Sequence, residues 1–377
     1  MLKLNRLVSL CVVVFVMATA ACAQDTITEK KKDFDYITRL ELEARAEFTF
    51  TQPFMRTYAG ESRVGENSYG FTGRYFNLHM GGNLTKNLSY YFRQRIIANP
   101  GSVNFFDNTD FLYLNYNITP NWSVRVGKDA LAVGGFEYDA PPIDVLFSSY
   151  YWDYFYCFQL AAGATFHTKD QRNHLTLQIA NSPYVFYGSA FKNSLMSYNL
   201  LWSGHFGCFK TLYSFNMFER SKGKFMNYVA LGNQLEFKHF KFYLDLMHHA
   251  TNTKQLFKNF AAIGRADVII DDQASLFAKI GYEQNLDQLE IQNYLETGEL
   301  WDCLAFPGQQ YFFYGLGCEV RPRKFSDLRI HAFVANYSVR NDYTEPTTLE
   351  DDRDIFNLTA NVGISWNIDF VKFFLKK

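Results

Sequence analysis

The sequence predicts an all-β chain that crosses an outer membrane as an antiparallel barrel of about 16 strands, and three observations support this fold class. Aromatic residues make up 18% of the chain, with 38 Phe and 25 Tyr. A barrel that faces lipid on every strand needs such side chains, above all at the two membrane interfaces. Apolar and polar residues alternate with a period of two in segments of about ten residues. Short and long connections also alternate, which is typical of short periplasmic turns and long outer loops.

The N-terminal segment has the features of an export signal. Lys3 and Arg6 flank the start of an apolar run at residues 7–17, and small residues follow as far as Ala23. A positive region, an apolar region and a small-x-small site predict cleavage after this segment. The alternative is lipidation of Cys22. The expected division of the chain is a signal peptide (residues 1–23), a short periplasmic leader (residues 24–35) and a single barrel domain (residues 36–377).

The alternation is clearest in the first segment, from Arg39 to Phe50. One face carries apolar residues. The other carries charged residues, namely Arg39, Glu41, Glu43, Arg45 and Glu47. A wide barrel turns the apolar face to lipid and the charged face to a wet lumen. Alternation is poorest at residues 259–270, so barrels of 14 or 18 strands remain alternatives to 16. The longer connections are expected around residues 51–68, 98–108, 131–153, 182–194, 219–226, 249–257, 286–309 and 339–353.

The polar faces of the first, third and fifth predicted strands carry the candidate pore-lining residues, which are Arg39, Arg45, Arg93, Arg95 and Arg125. Guanidinium groups are permanent charges with a fixed donor geometry, so clustered arginines could guide anions. In the alternative interpretation, neighbouring acids simply neutralise them.

The long connection at residues 131–153 follows the fifth predicted strand. A loop that folds inward at this point would narrow the pore, and its polar residues would set selectivity. The candidate constriction residues are Glu137, Asp139 and Asp144. The alternative is an ordinary surface loop with solvated charges.

Several short motifs resemble the phosphate-selective porin O and P family. They are Val-Arg-Val-Gly-Lys at 124–128, Gly-Gly-Phe-Glu at 134–137, Pro-Ile-Asp at 142–144, Lys-Ile-Gly-Tyr-Glu at 279–283 and Leu-Arg-Ile-His at 328–331. The resemblance implies a 16-stranded trimeric porin that passes small anions or other small solutes. The sequence lacks the dense lysine cluster of the phosphate-selective members, and acids interrupt the arginine ladder. Phosphate specificity is therefore not expected.

The expected function is passive diffusion of small hydrophilic solutes through the outer membrane, with anions favoured by the arginines. The expected partners are outer-membrane lipid, the solutes and further copies in a homotrimer. The net charge of −1 argues against nucleic acid. No cofactor, metal site or enzymatic activity is expected, because no catalytic or metal-binding signature is present. The solute, the pore width and the anion or cation preference stay open.

Other classes of function differ in how well they fit the sequence. A structural or assembly barrel, such as a secretion-system subunit or an adhesin without an open channel, is the main alternative. A fatty-acid transporter would need a long N-terminal plug, which the short leader cannot supply. The pair His248 and His249 provides too few ligands for a metal site. Ser203 and His205 have no acid nearby in the sequence that would complete a catalytic group.

Overall fold

The computed structural model describes residues 36–96, 105–184, 195–250, 258–297, 306–341 (without 324 and 326) and 352–375. The expected signal peptide (1–23) and leader (24–35) lie outside these residues. Within the described chain, strands dominate and each pairs antiparallel with its neighbours. The strands are β1 (Arg39–Thr57), β2 (Ser62–Val64), β3 (Ser68–Asn83), β4 (Leu88–Arg95), β5 (Thr109–Thr119), β6 (Trp122–Ala130), β7 (Phe158–His167), β8 (Asn173–Asn181), β9 (Met196–Phe206), β10 (Phe209–Ser221), β11 (Lys224–Glu236), β12 (Phe240–Ala250), β13 (Asn259–Ile269), β14 (Ala274–Asn285), β15 (Gln309–Val320), β16 (Leu328–Asn341) and β17 (Asp352–Asp369).

The barrel closes between its first and last strands. In the β1–β17 ladder, Glu41 lies opposite Asp369, and pairing continues to Thr57 opposite Asp352. The other edge of β1 pairs with β3 from Arg39 to Thr51 and with β2 from Phe54 to Arg56. These two segments therefore form one interrupted strand of the wall. The wall therefore contains 16 strands, and the predicted fold class and strand number are confirmed.

The strands are apolar on the outside and polar on the inside, as the alternation predicts. On β17, Val362, Ile364 and Trp366 are about half exposed, whereas Asn361 and Ser365 are buried. This distribution is the reverse of that in a soluble protein and suits a barrel with lipid around it.

The weakest predicted strand, at residues 259–270, is β13. Its alternation is poor because its inward side chains are apolar too. Ala261 and Ile263 point into the barrel and are fully buried there. Their burial places them in the internal core described below.

Two expected long connections are shorter than predicted. β1 continues through residues 51–57, where it stays paired with β17. At residues 219–226, Ser221 pairs with Lys224 across a two-residue turn, in which Gly223 has a positive φ of 73°. The polar residues at these positions remain part of the strands, because backbone hydrogen bonds between strands form whatever the polarity of the side chains.

In the described residues, three short helices lie in the connections, namely α1 (Phe136–Asp139), α2 (Tyr150–Tyr154) and α3 (Gln288–Thr297), and a fourth, α4 (Phe370–Leu375), follows β17. Two 3-10 turns occur at Phe105–Asn108 and Pro142–Asp144. In the described part of the chain, no helix has the length and apolar character needed to cross a membrane. Parts of the other expected long loops, at residues 97–104, 185–194, 251–257, 298–305 and 342–351, lie outside the described residues.

One side of the barrel interior is filled by an apolar core. The connection between β6 and β7, residues 131–157, is called the inward loop here. Its apolar side chains pack against the inward faces of β10 to β16. Phe147 is central, with ring centroids 5.2 Å from Phe333, 6.1 Å from Phe277 and 6.3 Å from Phe313. The aqueous space is consequently displaced towards the opposite wall.

Candidate functional site

The inward loop lies inside the barrel and is fixed there by hydrogen bonds to wall side chains. Asp245 on β12 accepts hydrogen bonds from the backbone N–H groups of Phe136 and Glu137, both at 2.8 Å. Glu283 on β14 does the same for Tyr150 at 2.7 Å and Tyr151 at 3.1 Å. Each carboxylate satisfies N–H groups in the first turn of a short helix, which otherwise lack partners. The part of the inward loop between Phe136 and Tyr151 is thus held at one end by β12 and at the other end by β14.

Two glycines allow the loop to approach the wall closely. The N–H of Gly134 donates to Ser214 at 2.8 Å, and a Cβ at Gly134 would lie 2.4 Å from the carbonyl oxygen of Leu212. Gly135 has a φ of 107°, and its Cβ would lie 2.7 Å from Met247. Only glycine fits this combination of close approach and positive φ. This is a physical reason for the Gly-Gly pair in the sequence motif.

A buried ion pair connects the loop to β14. Lys279 Nζ contacts the carboxylate of Glu137 and donates to the carbonyl oxygen of Phe147 at 2.6 Å. Ser149 completes the cluster, since its hydroxyl donates to Glu137 at 2.6 Å. Glu137 is 1% exposed. Its charge is therefore neutralised inside the loop anchor and is not directed at the aqueous space.

Wall arginines hold the middle of the loop through its carbonyl oxygens. Arg45 donates to Val145 at 2.9 Å and to Ile143 at 3.3 Å. Arg329 on β16 donates to the carbonyl of Ile143 at 2.8 Å and to the Asp144 carboxylate at 2.5 Å. The loop thus receives hydrogen bonds from β1 and β16 as well as from the core side.

A cavity of about 1430 Å³ remains between the loop and the opposite wall. Its wall is formed by β1, β3 to β9, β16 and β17, and its other side by the inward loop. Six of the eight predicted site residues line it, namely Arg39, Arg93, Arg95, Arg125, Asp139 and Asp144. Arg45 and Glu137 lie outside the lining and are buried in the loop anchors.

Arginines on the cavity wall are held by acids and by aromatic rings. Arg93 and Arg95 share the carboxylate of Asp110, at 3.0 and 2.9 Å, and Arg125 pairs with Asp129 at 3.0 Å. Arg95 and Arg125 nevertheless keep 47% and 45% of their side-chain surface exposed. Since two guanidinium groups share one carboxylate at Asp110, this part of the wall carries excess positive charge.

The same arginines stack on aromatic side chains. The Arg93 guanidinium lies 4.6 Å from the ring centroid of Phe111, and that of Arg125 lies 4.3 Å from Tyr113. Arg39 lies over Tyr91 at 5.4 Å. Cation–π stacking uses the face of the guanidinium and leaves N–H donors at its edge for a solute.

The loop presents acids to the cavity from the opposite side. Asp139 and Asp153 are exposed and line the cavity. Enclosure by the barrel desolvates these carboxyls and raises the pKa of both above the usual value. The cavity therefore lies between a basic wall and an acidic loop.

Some residues that line the cavity or anchor the loop are not among the site residues predicted from the sequence. Lys128 and Arg329 line the cavity, and Asp245, Glu283 and Lys279 anchor the loop. Four of these residues fall within the family-like motifs at 124–128, 279–283 and 328–331, namely Lys128, Lys279, Glu283 and Arg329. Their place in these motifs is the signal that could have identified them.

Comparisons with known proteins agree with this geometry. Residues 45–208 match the family model described as phosphate-selective porin O and P. The outer membrane channel DcaP of Acinetobacter baumannii is similar in structure, with a TM-score of 0.58 and 10% identity, over 90% of this chain and 99% of that one. The anion-selective porin from Comamonas acidovorans gives 0.54 and 11%, over 89% and 100%. No curated protein matches the sequence.

The trimer form of OmpT, an outer membrane protein of Vibrio cholerae, is similar as well. Its TM-score is 0.55 with 9% identity, and the match covers 89% of this chain and 100% of that chain. At these identities the structural likeness establishes the fold, which is the 16-stranded closed barrel.

Proposed function

We propose that this outer-membrane channel passes small hydrophilic solutes by passive diffusion, with a moderate preference for anions; residues 45–208 match the model of the phosphate-selective porin O and P family. The family and the fold are those of channels. The observation that carries the proposal is the cavity between the inward loop and the arginine-bearing wall. Solutes would move down their gradient through this water-filled space, without a cofactor or coupled energy source.

Selectivity is assigned to the two charged sides of the cavity. Arg93 and Arg95 share one carboxylate, so the wall at this height favours anions. Asp139 and Asp153 on the loop oppose this preference and keep it moderate. Charged side chains at the narrow part of a pore act strongly on ions that must pass close to them. The same cavity is lined by Arg39, Arg125 and Asp144, which would also contribute to the ion selectivity.

Arg45 and Glu137 are assigned a different task from the other predicted residues. Both are buried, and both bind the loop or its anchors. We assign them to holding the loop in place, so they affect selectivity through the pore width and not through direct contact with solutes.

Planar bilayers with the purified protein test the channel. We expect ohmic conductance in symmetric KCl and a reversal potential of the sign for anion preference in a KCl gradient. Absence of conductance in several preparations of correctly folded barrel would contradict the channel and favour the assembly-barrel alternative. Conductance without anion preference would contradict only the selectivity.

We also propose that the chain forms a homotrimer. The support is the trimer form of OmpT among the similar structures. The outward faces of the strands carry large apolar side chains, which suit either lipid or a neighbouring copy. Light scattering of the detergent complex, corrected for bound detergent, should give three copies. A monomer at all protein concentrations would contradict this proposal.

A further inference from the structure

Two histidines meet at the turn end of the β7–β8 hairpin. His167 closes β7 and lies directly opposite His174 on β8. Their Nδ1 atoms are 2.7 Å apart, and their ring centroids are 4.8 Å apart at an interplanar angle of 72°. Both side chains are partly exposed, and His167 lines the cavity. The pair is therefore accessible to small ions from the lumen.

The pair has the chemistry of a transition-metal site. In the neutral pair one Nδ1–H donates to the other Nδ1. When this proton moves to Nε2 of the same ring, both neutral imidazoles present an Nδ1 lone pair to a metal ion. Imidazole nitrogen suits Zn²⁺ and Cu²⁺. A tetrahedral ion with bonds of about 2.0–2.1 Å holds two nitrogens roughly 3.3 Å apart. The rings must open by roughly half an ångström, which small side-chain rotations supply.

The surroundings of His167 orient its ring for this purpose. Its Nε2 lies 3.0 Å from the hydroxyl of Ser123 on β6. Asn121 fixes the backbone of the same residue, with its side chain donating to the His167 carbonyl at 2.8 Å. A metal-bound histidine usually donates its other N–H to an oxygen, and such partners fix the tautomer. Ser123 provides this oxygen when Nδ1 holds the ion.

The turn does not add a charged ligand to the pair. Asp170, in the turn, accepts hydrogen bonds from the hydroxyl of Thr168 at 2.5 Å and from the N–H of Arg172 at 3.2 Å. Within the described residues, no cluster of three or more His, Cys, Asp or Glu side chains is placed to hold a metal. Two protein ligands are fewer than the three or four of dedicated zinc sites, so water must complete the coordination shell, and binding should be weaker than at such sites.

We propose that His167 and His174 bind one divalent transition-metal ion, Zn²⁺ or Cu²⁺, at the lumen wall, with water as the remaining ligands. This site is independent of the solute that the channel passes. It would add two positive charges to the pore near its turn end, so occupancy would change the current carried by small ions.

Isothermal titration of the detergent-solubilised protein with ZnCl₂ tests the site. The protein must carry no polyhistidine tag. We expect one ion per barrel at pH 7.5 and loss of binding at pH 5.5, where protons compete for the imidazoles. His167→Ala and His174→Ala should each weaken binding by at least about tenfold, since even second-shell changes cost about that much. His239→Ala, at the exposed turn between β11 and β12, is the matched control and should bind normally.

Unchanged binding in both pair variants would overturn the proposal, as would absence of Zn²⁺ and Cu²⁺ binding by the wild type. Folding of each variant is checked by heat-modifiable migration in gels. If the alanine variants do not assemble, His167→Gln and His174→Gln keep more of the side-chain volume and should lose binding in the same way. None of these measurements depends on conductance, so failure of the metal site and failure of the channel proposal are distinguishable.

Discussion

The Asp245 carboxylate accepts a hydrogen bond of 2.8 Å from the backbone N–H of Glu137, and this contact connects the far wall of the barrel to the loop that lies inside it. A second oxygen of the same carboxylate accepts from Phe136 at 2.8 Å. Asp245 is fully buried, so water cannot replace these bonds. The loop position therefore depends on a wall residue that does not itself line the cavity.

Replacing Asp245 should loosen the loop. Asp245→Ala leaves two buried N–H groups without partners, and each such group costs about 1–3 kcal/mol. We expect noisier single-channel currents with frequent transitions and a lower temperature for loss of the folded barrel in gels. Asp272→Asn, in an exposed turn, is the control. Quiet currents and unchanged thermal stability in Asp245→Ala would show that the loop does not need this anchor.

A side chain at residue 135 should have a similar effect through strain. Gly135→Ala puts a Cβ 2.7 Å from Met247 at a φ of 107°. Such a conformation costs on the order of 1–3 kcal/mol for a residue other than glycine. We expect reduced stability and altered conductance. Gly70→Ala is matched, because a Cβ there has nothing within 4 Å. Equal behaviour of the two variants would contradict the strained backbone conformation at residue 135.

Removing one exposed charge from the wall should lower the anion preference. Arg95→Gln takes away one of the two guanidinium groups that share Asp110, and Arg93 remains to neutralise that buried carboxylate. One charge near a solute in water is worth about 1 kcal/mol before screening, which predicts a roughly two- to fivefold fall in the anion-to-cation permeability ratio.

Reversal potentials in a KCl gradient measure this ratio. Arg172→Gln, in the exposed turn between β7 and β8, removes the same charge away from the cavity and should leave the ratio unchanged. An unchanged ratio in Arg95→Gln would remove this residue from the selectivity site.

Acidification should strengthen the anion preference. Desolvation raises the pKa of Asp139 and Asp153, so these carboxyls take up protons at a higher pH than ordinary aspartates. As the pH falls towards their pKa, negative charge disappears from the loop and the basic wall dominates. The permeability ratio for anions should rise as the pH is lowered from neutral.

The variant Asp139→Asn with Asp153→Asn isolates this effect. It should already show the higher anion preference at neutral pH, and its ratio should change little on acidification. Reversal potentials at a series of pH values provide the measurement. If the permeability ratio of the wild type changes as little with pH as that of the double variant, Asp139 and Asp153 do not control the anion preference.

The barrel could be predicted from the sequence because its strands follow a local rule. Lipid outside and water inside impose a period of two on each strand, and β17 shows it directly, with Trp366 outward and Ser365 inward. The rule fails at β13, where Ala261 and Ile263 face the apolar core instead of water. It also could not separate strand from loop at residues 219–226, where pairing of backbone groups continues through polar residues.

The sequence by itself thus determined the inside-out strands and a group of arginines on the inner face, whereas the structure decided between 14, 16 and 18 strands in favour of 16. Only the tertiary structure decided that the inward loop seals one side of the lumen, which leaves Arg95 in the cavity and buries Arg45 and Glu137. The physical reason is distance along the chain. Glu137 meets Lys279 and Arg45 meets Val145 only after the barrel closes and the loop docks, and no local pattern records which buried partners will then satisfy a charge.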